Sequence, residues 1–393
     1  MEFVVLAAGR GRRLRPLTDE VPKPMLPVGR EPLVGHVLNA AADAGASAFY
    51  LVVGDEDGPV RDYFGNRHGG VPIAYVEQTE PRGTADAVAC AAEYVDGPFV
   101  VVNGDNLYDS ASLASVVDAA PAIGVYAVED PTEYGVISHD GGEVTDVVEK
   151  PPDPPTNLAN VGAYALPSLD SDDLVVVQSE RGEHEFTDVV ADVVESASVT
   201  PVEFDTWLDV GRAWELLAAN ERVLEAQPHR VEGDVAANAH LHGDVFVEPG
   251  ATIRERTTVE GPVLVRRDAT VGPGAYLRGT TYVGPDVHIG HGVEVKNSVV
   301  MAETNVGHLS YVGDSVLGRE VNLGAGTTIA NLRHDDDPVK LTVNGERLST
   351  GRRKFGAVLG HGAKTGINTG IHPGVTLSSG SSTTPGEVVV RDR

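Results

Sequence analysis

Two hydrophobic rhythms divide the chain. Through about residue 225, short apolar runs alternate with amphipathic stretches. Phe3–Leu6, Ala48–Val53, Val71–Val76, Phe99–Val102 and Ile123–Val128 predict strands, and Leu33–Ala44 predicts a helix. Thr84 is expected to cap a helix through Ala85–Tyr94, and Arg212–Ala226 predicts a closing helix. This alternation predicts an α/β unit, a mostly parallel sheet covered on both faces. From Val235 the period becomes six. Val235, Leu241, Val247, Ile253, Val259, Val265, Val271, Leu277, Val283, Ile289, Val295 and Met301 stand in strict register, with Gly or Pro often just after. This is the hexapeptide pattern of a parallel β-helix, each aliphatic residue pointing into the coil axis. The register is expected to slip at His308 and to resume at Leu317, Leu323 and Ile329. Residues 330–355 interrupt it, and it returns at Leu359, Thr365, Ile371 and Leu377. Gln227–Arg230 marks the boundary, giving domains 1–228 and 229–393.

Length and charge narrow the function. The 393 residues suffice for two folding units, and a net charge of −28 argues against nucleic-acid binding. Only six of the 30 basic residues are lysine, while 30 of the acids are aspartate, a surface expected of salt-loaded cytoplasm. The single cysteine, Cys90, allows no internal disulfide and no multi-cysteine metal site. Without an apolar run of about 20 residues the chain is expected to be cytoplasmic and away from membranes. The positive charge is gathered in two islands. One holds Arg10, Arg12, Arg13, Arg15, Lys23 and Arg30, the other Lys340, Arg347, Arg352, Arg353 and Lys354. Both are candidate sites for phosphorylated small molecules.

The first island lies in Leu6-Ala-Ala-Gly-Arg-Gly-Arg-Arg-Leu-Arg-Pro-Leu-Thr18, followed by Pro22-Lys-Pro-Met-Leu-Pro-Val28. After a strand, such a loop offers backbone N–H groups to phosphate oxygens. It lacks the third glycine of a dinucleotide fingerprint and is not a Walker A loop. The stretch resembles the signature of sugar-1-phosphate nucleotidylyltransferases, with Arg12 where that family usually has Thr or Ser. The resemblance implies a Rossmann-like nucleotidyltransferase domain with a mixed, mostly parallel sheet. It also implies nucleotide contacts at Leu6, Ala8, Gly9, Gln78, Gly83 and Thr84, and catalytic roles for Arg13 and Lys23. Gly135, Glu149, Lys150 and Asn160 correspond to sugar- and phosphate-contacting positions, and Asp105 and Asp209 to the carboxylates that hold Mg²⁺.

The hexad region resembles the acyltransferase half of bifunctional N-acetylglucosamine-1-phosphate uridylyltransferases, through Gly307-His-Leu-Ser-Tyr-Val-Gly-Asp314 and Asn322–Asn331. The long insertion resembles archaeal-type members. What this implies is a left-handed coil, a homotrimer, His308 as general base, and substrate contacts at Tyr311, Asn331 and Lys340. Imidazole suits the role because its ordinary pKa lies near neutrality. His288 and His291 are expected to be surface or inter-coil packing residues.

The expected enzyme acetylates glucosamine-1-phosphate or a related amino-sugar phosphate from acetyl-CoA. It then joins the product to UTP (or dTTP), giving a UDP-N-acetyl amino sugar and pyrophosphate. Two readings compete. One is a glucose-1-phosphate uridylyl- or thymidylyltransferase whose β-helix is only an oligomerisation scaffold. The other is a regulatory subunit that senses metabolites, against which the two metal carboxylates count.

Overall fold

The computed structural model describes residues 1–54, 58–169, 171–179, 182 and 184–393. The chain forms two compact units. The first holds Met1–Arg10, Pro22–Met25 and Glu31–Asp209, the second Gly11–Val21, Leu26–Arg30 and Val210–Arg393. No helix among the described residues is long and apolar enough to cross a membrane.

The first unit is built on a sheet of ten strands among the described residues. In chain order its strands are β1 (Glu2–Leu6), β2 (Ala48–Val53), β3 (Arg67–His68), β4 (Val71–Glu77) and β5 (Phe99–Asn103). A short strand outside the sheet, β6 (Asn106–Tyr108), comes next. The sheet continues with β7 (Ala122–Ala127), β8 (Gly135–Asp140), β9 (Glu143–Glu149), β10 (Leu158–Leu166) and β11 (Thr200–Glu203). The spatial order is β9-β8-β10-β5-β1-β2-β4-β3, with β7 between β10 and β11. The heart, β5-β1-β2-β4, is parallel. Beyond it β10 runs antiparallel to β5, as do β8 and β7 to β10, so the sheet is mixed.

Alternation along β1 explains the layering. Phe3 and Val5 face helix α1 (Leu33–Asp43), where Val34, Val37, Leu38 and Ala41 form the buried stripe. Val4 faces the opposite way. It shares a core with Ala85, Val88 and Ala91 of α3 (Thr84–Ala92) and with Val189, Val190 and Val193 of α5 (Phe186–Ser196), where α2 is Gly58–Phe64 and α4 is Ser110–Asp118. Each such Val, Leu or Phe side chain, fully withdrawn from water, contributes about 1.5–3 kcal/mol. Thr84 does not cap α3. Gly83 is its N-cap, and the Thr84 hydroxyl instead accepts the Phe186 amide at 2.9 Å.

The second unit is a three-faced coil of parallel strands, in sheets of eight, six and eight among the described residues. It is consistent with the left-handed β-helix that the sequence resemblance implies. Val247, Ile253, Val259, Val265, Val271, Leu277, Val283, Ile289 and Val295 are fully buried along its axis. The register differs from expectation after Val295. Val283 pairs with Val300, so Val300 takes the axial place and Met301 is buried outside it. Asn297, in the left-handed region at φ 45°, closes a turn one residue shorter. A second short step leads from Val312 to Leu317. His308, by contrast, follows axial Val306 within a regular step, so the expected slip there is absent. The segment 330–355 is a folded hairpin, Lys340–Val343 against Glu346–Ser349, with Val339, Leu341 and Val343 buried. Helix α6 (Ala213–Glu225) packs on the coil strand Thr281–Val283.

Candidate active site

In the first unit, the turn Asn103-Gly-Asp105 is fixed by close backbone approach. Gly104 N donates to Leu6 O at 2.8 Å, and a Cβ at Gly104 would lie 2.6 Å from that oxygen. Leu6 itself stands in register with Asn103. Beyond the turn, β6 pairs antiparallel with β12 (Trp207–Asp209), placing Asp209 opposite Asn106. The two predicted metal carboxylates are therefore brought to neighbouring positions. Lys23, only 7% exposed, donates from Nζ to Asp105 Oδ2. No group of three or more metal-ligating side chains occurs among the described residues. Two carboxylates leave room for the phosphate oxygens and waters that complete a Mg²⁺ shell, so the donor set fits that ion.

The support beneath this pair is polar and buried. Asn106 donates to Val161 O at 2.8 Å, and Tyr108 donates to Gly162 O at 2.9 Å and accepts from Asn103 N at 3.2 Å. Burial holds the Tyr108 hydroxyl well above its ordinary pKa, so it stays a donor. Asn160 donates to the Tyr164 hydroxyl at 2.7 Å and accepts from Gly162 N at 3.0 Å. A Cβ on Gly135 would stand 3.0 Å from Glu149 Oε2 and 3.4 Å from the Asn160 amide, which puts these three predicted sugar contacts together. Lys150 follows in a left-handed conformation, its Nζ 3.8 Å from Glu149 Oε1.

The predicted nucleotide segment is equally constrained. Gln78 donates both amide hydrogens inward, to Gly83 O at 3.0 Å and Asp86 Oδ2 at 2.8 Å. Its carbonyl oxygen is thus what it can offer a ligand, an acceptor for a base N–H. Gly83 has φ +136°, and a Cβ there would collide with the His184 backbone. Gly83→Ala should lower stability by roughly 1–3 kcal/mol, visible as an earlier denaturant midpoint. It should also raise KM for the nucleotide, and an unchanged midpoint with unchanged KM would show that the loop is slack. Ala8 is half-buried and Gly9 exposed at the start of the predicted phosphate loop. Arg13 lies on the 3₁₀ turn Arg12–Leu14, entered through Gly11 at φ 60°.

On the coil the predicted acetyl-transfer residues occupy two places. His308 is exposed and lines a groove of about 490 Å³ with Arg254, His288, His291 and Asn305. Burial and Arg254 pull His288 below its ordinary pKa. Tyr311 and Asn331 belong to a separate cluster. Asn331 donates to the Tyr311 hydroxyl at 3.3 Å and to Asp314 Oδ2, and Lys296 donates to the same carboxylate at 2.7 Å. Burial and Asp314 push the Tyr311 hydroxyl up, so it too remains protonated. Arg278, paired one coil before Lys296, completes a file of charge that the motif reading missed. The signal was present, since residues one coil apart stack and Arg278 and Lys296 share one outward file.

Part of the second basic island is paired with acidic groups. Arg352 pairs with Glu221 and Arg353 with Asp336. Lys340 lines a groove of about 370 Å³ together with Arg333, His334, Arg347 and His372.

Comparison with known proteins gives the family. Residues 2–226 match the nucleotidyl transferase family, and residues 259–355 match the GMPPB C-terminal domain. Over 386 residues the chain is 36% identical to the "Bifunctional protein GlmU" of Methanococcus aeolicus, covering 97% of this chain and 92% of that one. It is 35% identical over 402 residues to the "Bifunctional sugar-1-phosphate nucleotidylyltransferase/acetyltransferase" of Sulfurisphaera tokodaii, covering 100% and 98%. The structure of a UDP-glucose pyrophosphorylase with UDP-glucose superposes with a TM-score of 0.53 at 24% identity, over 57% of this chain and 99% of that one, a likeness of fold. The Gly/Arg loop after β1, the neighbouring positions of Asp105 and Asp209 and the hexad coil thus have one common explanation: the chain belongs to the nucleotidyl transferase family and, across both of its units, to the bifunctional GlmU proteins.

Proposed function

We propose that this protein acetylates glucosamine-1-phosphate, or a related amino-sugar-1-phosphate, from acetyl-CoA and then transfers UMP from UTP to the product. Nucleotidyl transfer is assigned to residues 1–228 and acetyl transfer to 229–393. The observation that carries the reading is the likeness, over nearly the whole chain, to relatives named for both activities.

In nucleotidyl transfer an oxygen of the sugar phosphate attacks the α-phosphorus of UTP, a new P–O bond forms, and the bond to pyrophosphate breaks. Positioning and charge neutralisation supply most of the rate in such a step. Arg13 and Lys23 offset triphosphate charge, Lys150 holds the incoming sugar phosphate, and Glu149 and Asn160, beside Gly135, take sugar hydroxyls or the acetamido group. The loop backbone from Leu6 through Ala8 and Gly9, with Gly83 and Thr84, encloses the nucleotide. The Gln78 acceptor oxygen suits the N3–H of uracil or thymine. Asp105 and Asp209 would hold Mg²⁺, which offsets phosphate charge when bound. In acetyl transfer the sugar amine attacks the thioester carbonyl, the C–N bond forms, and coenzyme A leaves as the thiol. His308 accepts the amine proton, and Tyr311, Asn331 and Lys340 hold substrate groups.

The deciding experiment follows thiol release from acetyl-CoA with glucosamine-1-phosphate or galactosamine-1-phosphate, then pyrophosphate release on adding UTP and Mg²⁺. Release of both supports the reading. Pyrophosphate from glucose-1-phosphate and UTP with no thiol release would make the coil a scaffold. A cytoplasmic homotrimer joined through the coil is part of the proposal, with exposed Leu309 and Ile367 available for contact. The charge of −28 predicts that trimer and both activities need salt on the order of 1 M or more, where the Debye length is about 3 Å. Sedimentation and activity across a KCl series test this, and a fully active chain in dilute buffer would refute it.

A further inference from the structure

Lys23, which meets Asp105, is flanked in sequence by two segments that both belong to the coil-containing unit, Gly11–Val21 and Leu26–Arg30. The upstream segment carries Arg12, Arg13 and Arg15. It folds on itself through Leu14 N to Gly11 O at 2.9 Å and Thr18 Oγ1 to Gly11 O at 2.9 Å, with Leu14 and Leu17 buried. Its outer side is held by the coil at three points. His361 Nε2 lies 2.8 Å from Glu20 Oε2, with Glu320 3.8 Å away on the same nitrogen. Ser379 Oγ donates to Asp19 Oδ2 at 2.9 Å. Gly360 approaches so closely that a Cβ there would lie 2.8 Å from the Pro16 Cβ. The downstream segment is gripped as firmly. Gly29 N donates to Asn220 Oδ1 at 2.9 Å, Arg266 donates to Gly29 O at 3.0 Å, and Glu248 accepts from both Arg30 and Arg266. Burial alone would raise the Glu248 carboxyl, but its two arginines and the Arg267 amide outweigh it and hold the pKa below the ordinary value, so the clamp stays charged.

From this arrangement we infer that His361 and Ser379 are positioning residues that hold the Arg13 loop for phosphate binding. The inference rests on the nucleotidyl-transfer reading above. A rigid loop matters because a misplacement of about 1 Å can cost on the order of 100-fold in rate. The coil contacts fall on Pro16, Asp19 and Glu20, and Arg15 pairs with Asp19 at 3.5 Å, so Arg12 and Arg13 are the loop arginines left to phosphate. Neither His361 nor Ser379 belongs to the residues assigned to acetyl transfer.

The test uses the full chain with His361→Ala/Ser379→Ala, and His361→Gln as the conservative partner that still donates from its side-chain amide to Glu20. Two readouts are taken in molar KCl. The first is tryptic cleavage after Arg10, Arg12 and Arg13, mapped by mass spectrometry, which reports how firmly the loop is held without any substrate. The second is kcat and KM for UTP in nucleotidyl transfer, beside acetyl transfer on the same sample. The double variant should be cut several-fold faster in the loop and should lose about tenfold or more in kcat/KM for UTP. Acetyl transfer should stay within about twofold, and His361→Gln should recover most of the loss. Unchanged loop cleavage, or a nucleotidyl kcat and KM within about twofold of wild type, overturns the inference. Parallel loss of acetyl transfer also overturns it, because the two residues would then be general stabilisers. A wild-type chain that forms no sugar nucleotide overturns the functional reading instead, so the two failures are distinct.

Discussion

Replacing Asp105 with asparagine should abolish nucleotidyl transfer, with a loss on the order of 1,000-fold or more in kcat, while acetyl transfer continues. The side chain keeps its shape but loses the charge that a metal ion and the Lys23 ammonium both require. Lys23 is 8% exposed in its side chain and Asp105 32%, so the variant leaves a nearly buried cation facing a neutral amide. Removing one partner of a buried pair is costly, but the exposure of Asp105 discounts it, and a loss of roughly 1–3 kcal/mol is expected. Catalysis and stability can be separated. Lys23→Met/Asp105→Asn removes both charges and should recover most of the unfolding midpoint without recovering pyrophosphate release. Equal loss of acetyl and nucleotidyl transfer in the folded variant would sink the separation of the two activities.

What was legible in the sequence follows the physics of burial. Ala48–Val53 was placed at its observed limits because a central parallel strand, covered on both faces, reads as an unbroken apolar run. The hexads were legible because one inward residue per face must be aliphatic. The slip was not, because Val299, Val300 and Met301 are three consecutive apolar residues and periodicity cannot choose among them. Only the short turn at Asn297 decides for Val300. The carboxylates Asp105 and Asp209 came from motif resemblance, and the pairing of β6 with β12 supplies the local reason why their positions are neighbours in the fold. The pairing within the second basic island was hidden for a different reason. Arg352 looked like free charge because its partner, Glu221, is remote in sequence, on another element. Long-range ion pairs leave no local pattern, so charge runs overstate the positive potential a fold presents.

His308→Ala should lower acetyl transfer by about 100- to 10,000-fold, the range expected when a general base is removed. The fold should not notice. The backbone at this position is carried by the coil ladder, Gly307 N donating to Leu323 O at 2.9 Å and His308 O accepting from Gly326 N at 2.9 Å, while the imidazole itself is exposed. Stability should therefore shift by no more than about 0.5 kcal/mol. This contrast decides the role, because a turn histidine kept for structure would lose stability and leave the chemistry intact. His288 and His291 share the groove, but His291 is tied through Nδ1 to Pro273 O at 2.9 Å and His288 has burial and Arg254 disfavouring its charged form. The Nδ1 contact leaves His291 Nε2 with its lone pair, so residual acetyl transfer is read against a His291→Ala control. Pyrophosphate release from UTP and N-acetylglucosamine-1-phosphate should remain within about twofold of wild type, since that substrate bypasses the acetyl step. Retained acetyl transfer in the variant would return His308 to structure and move the search for the base to the Lys296, Tyr311 and Asn331 cluster.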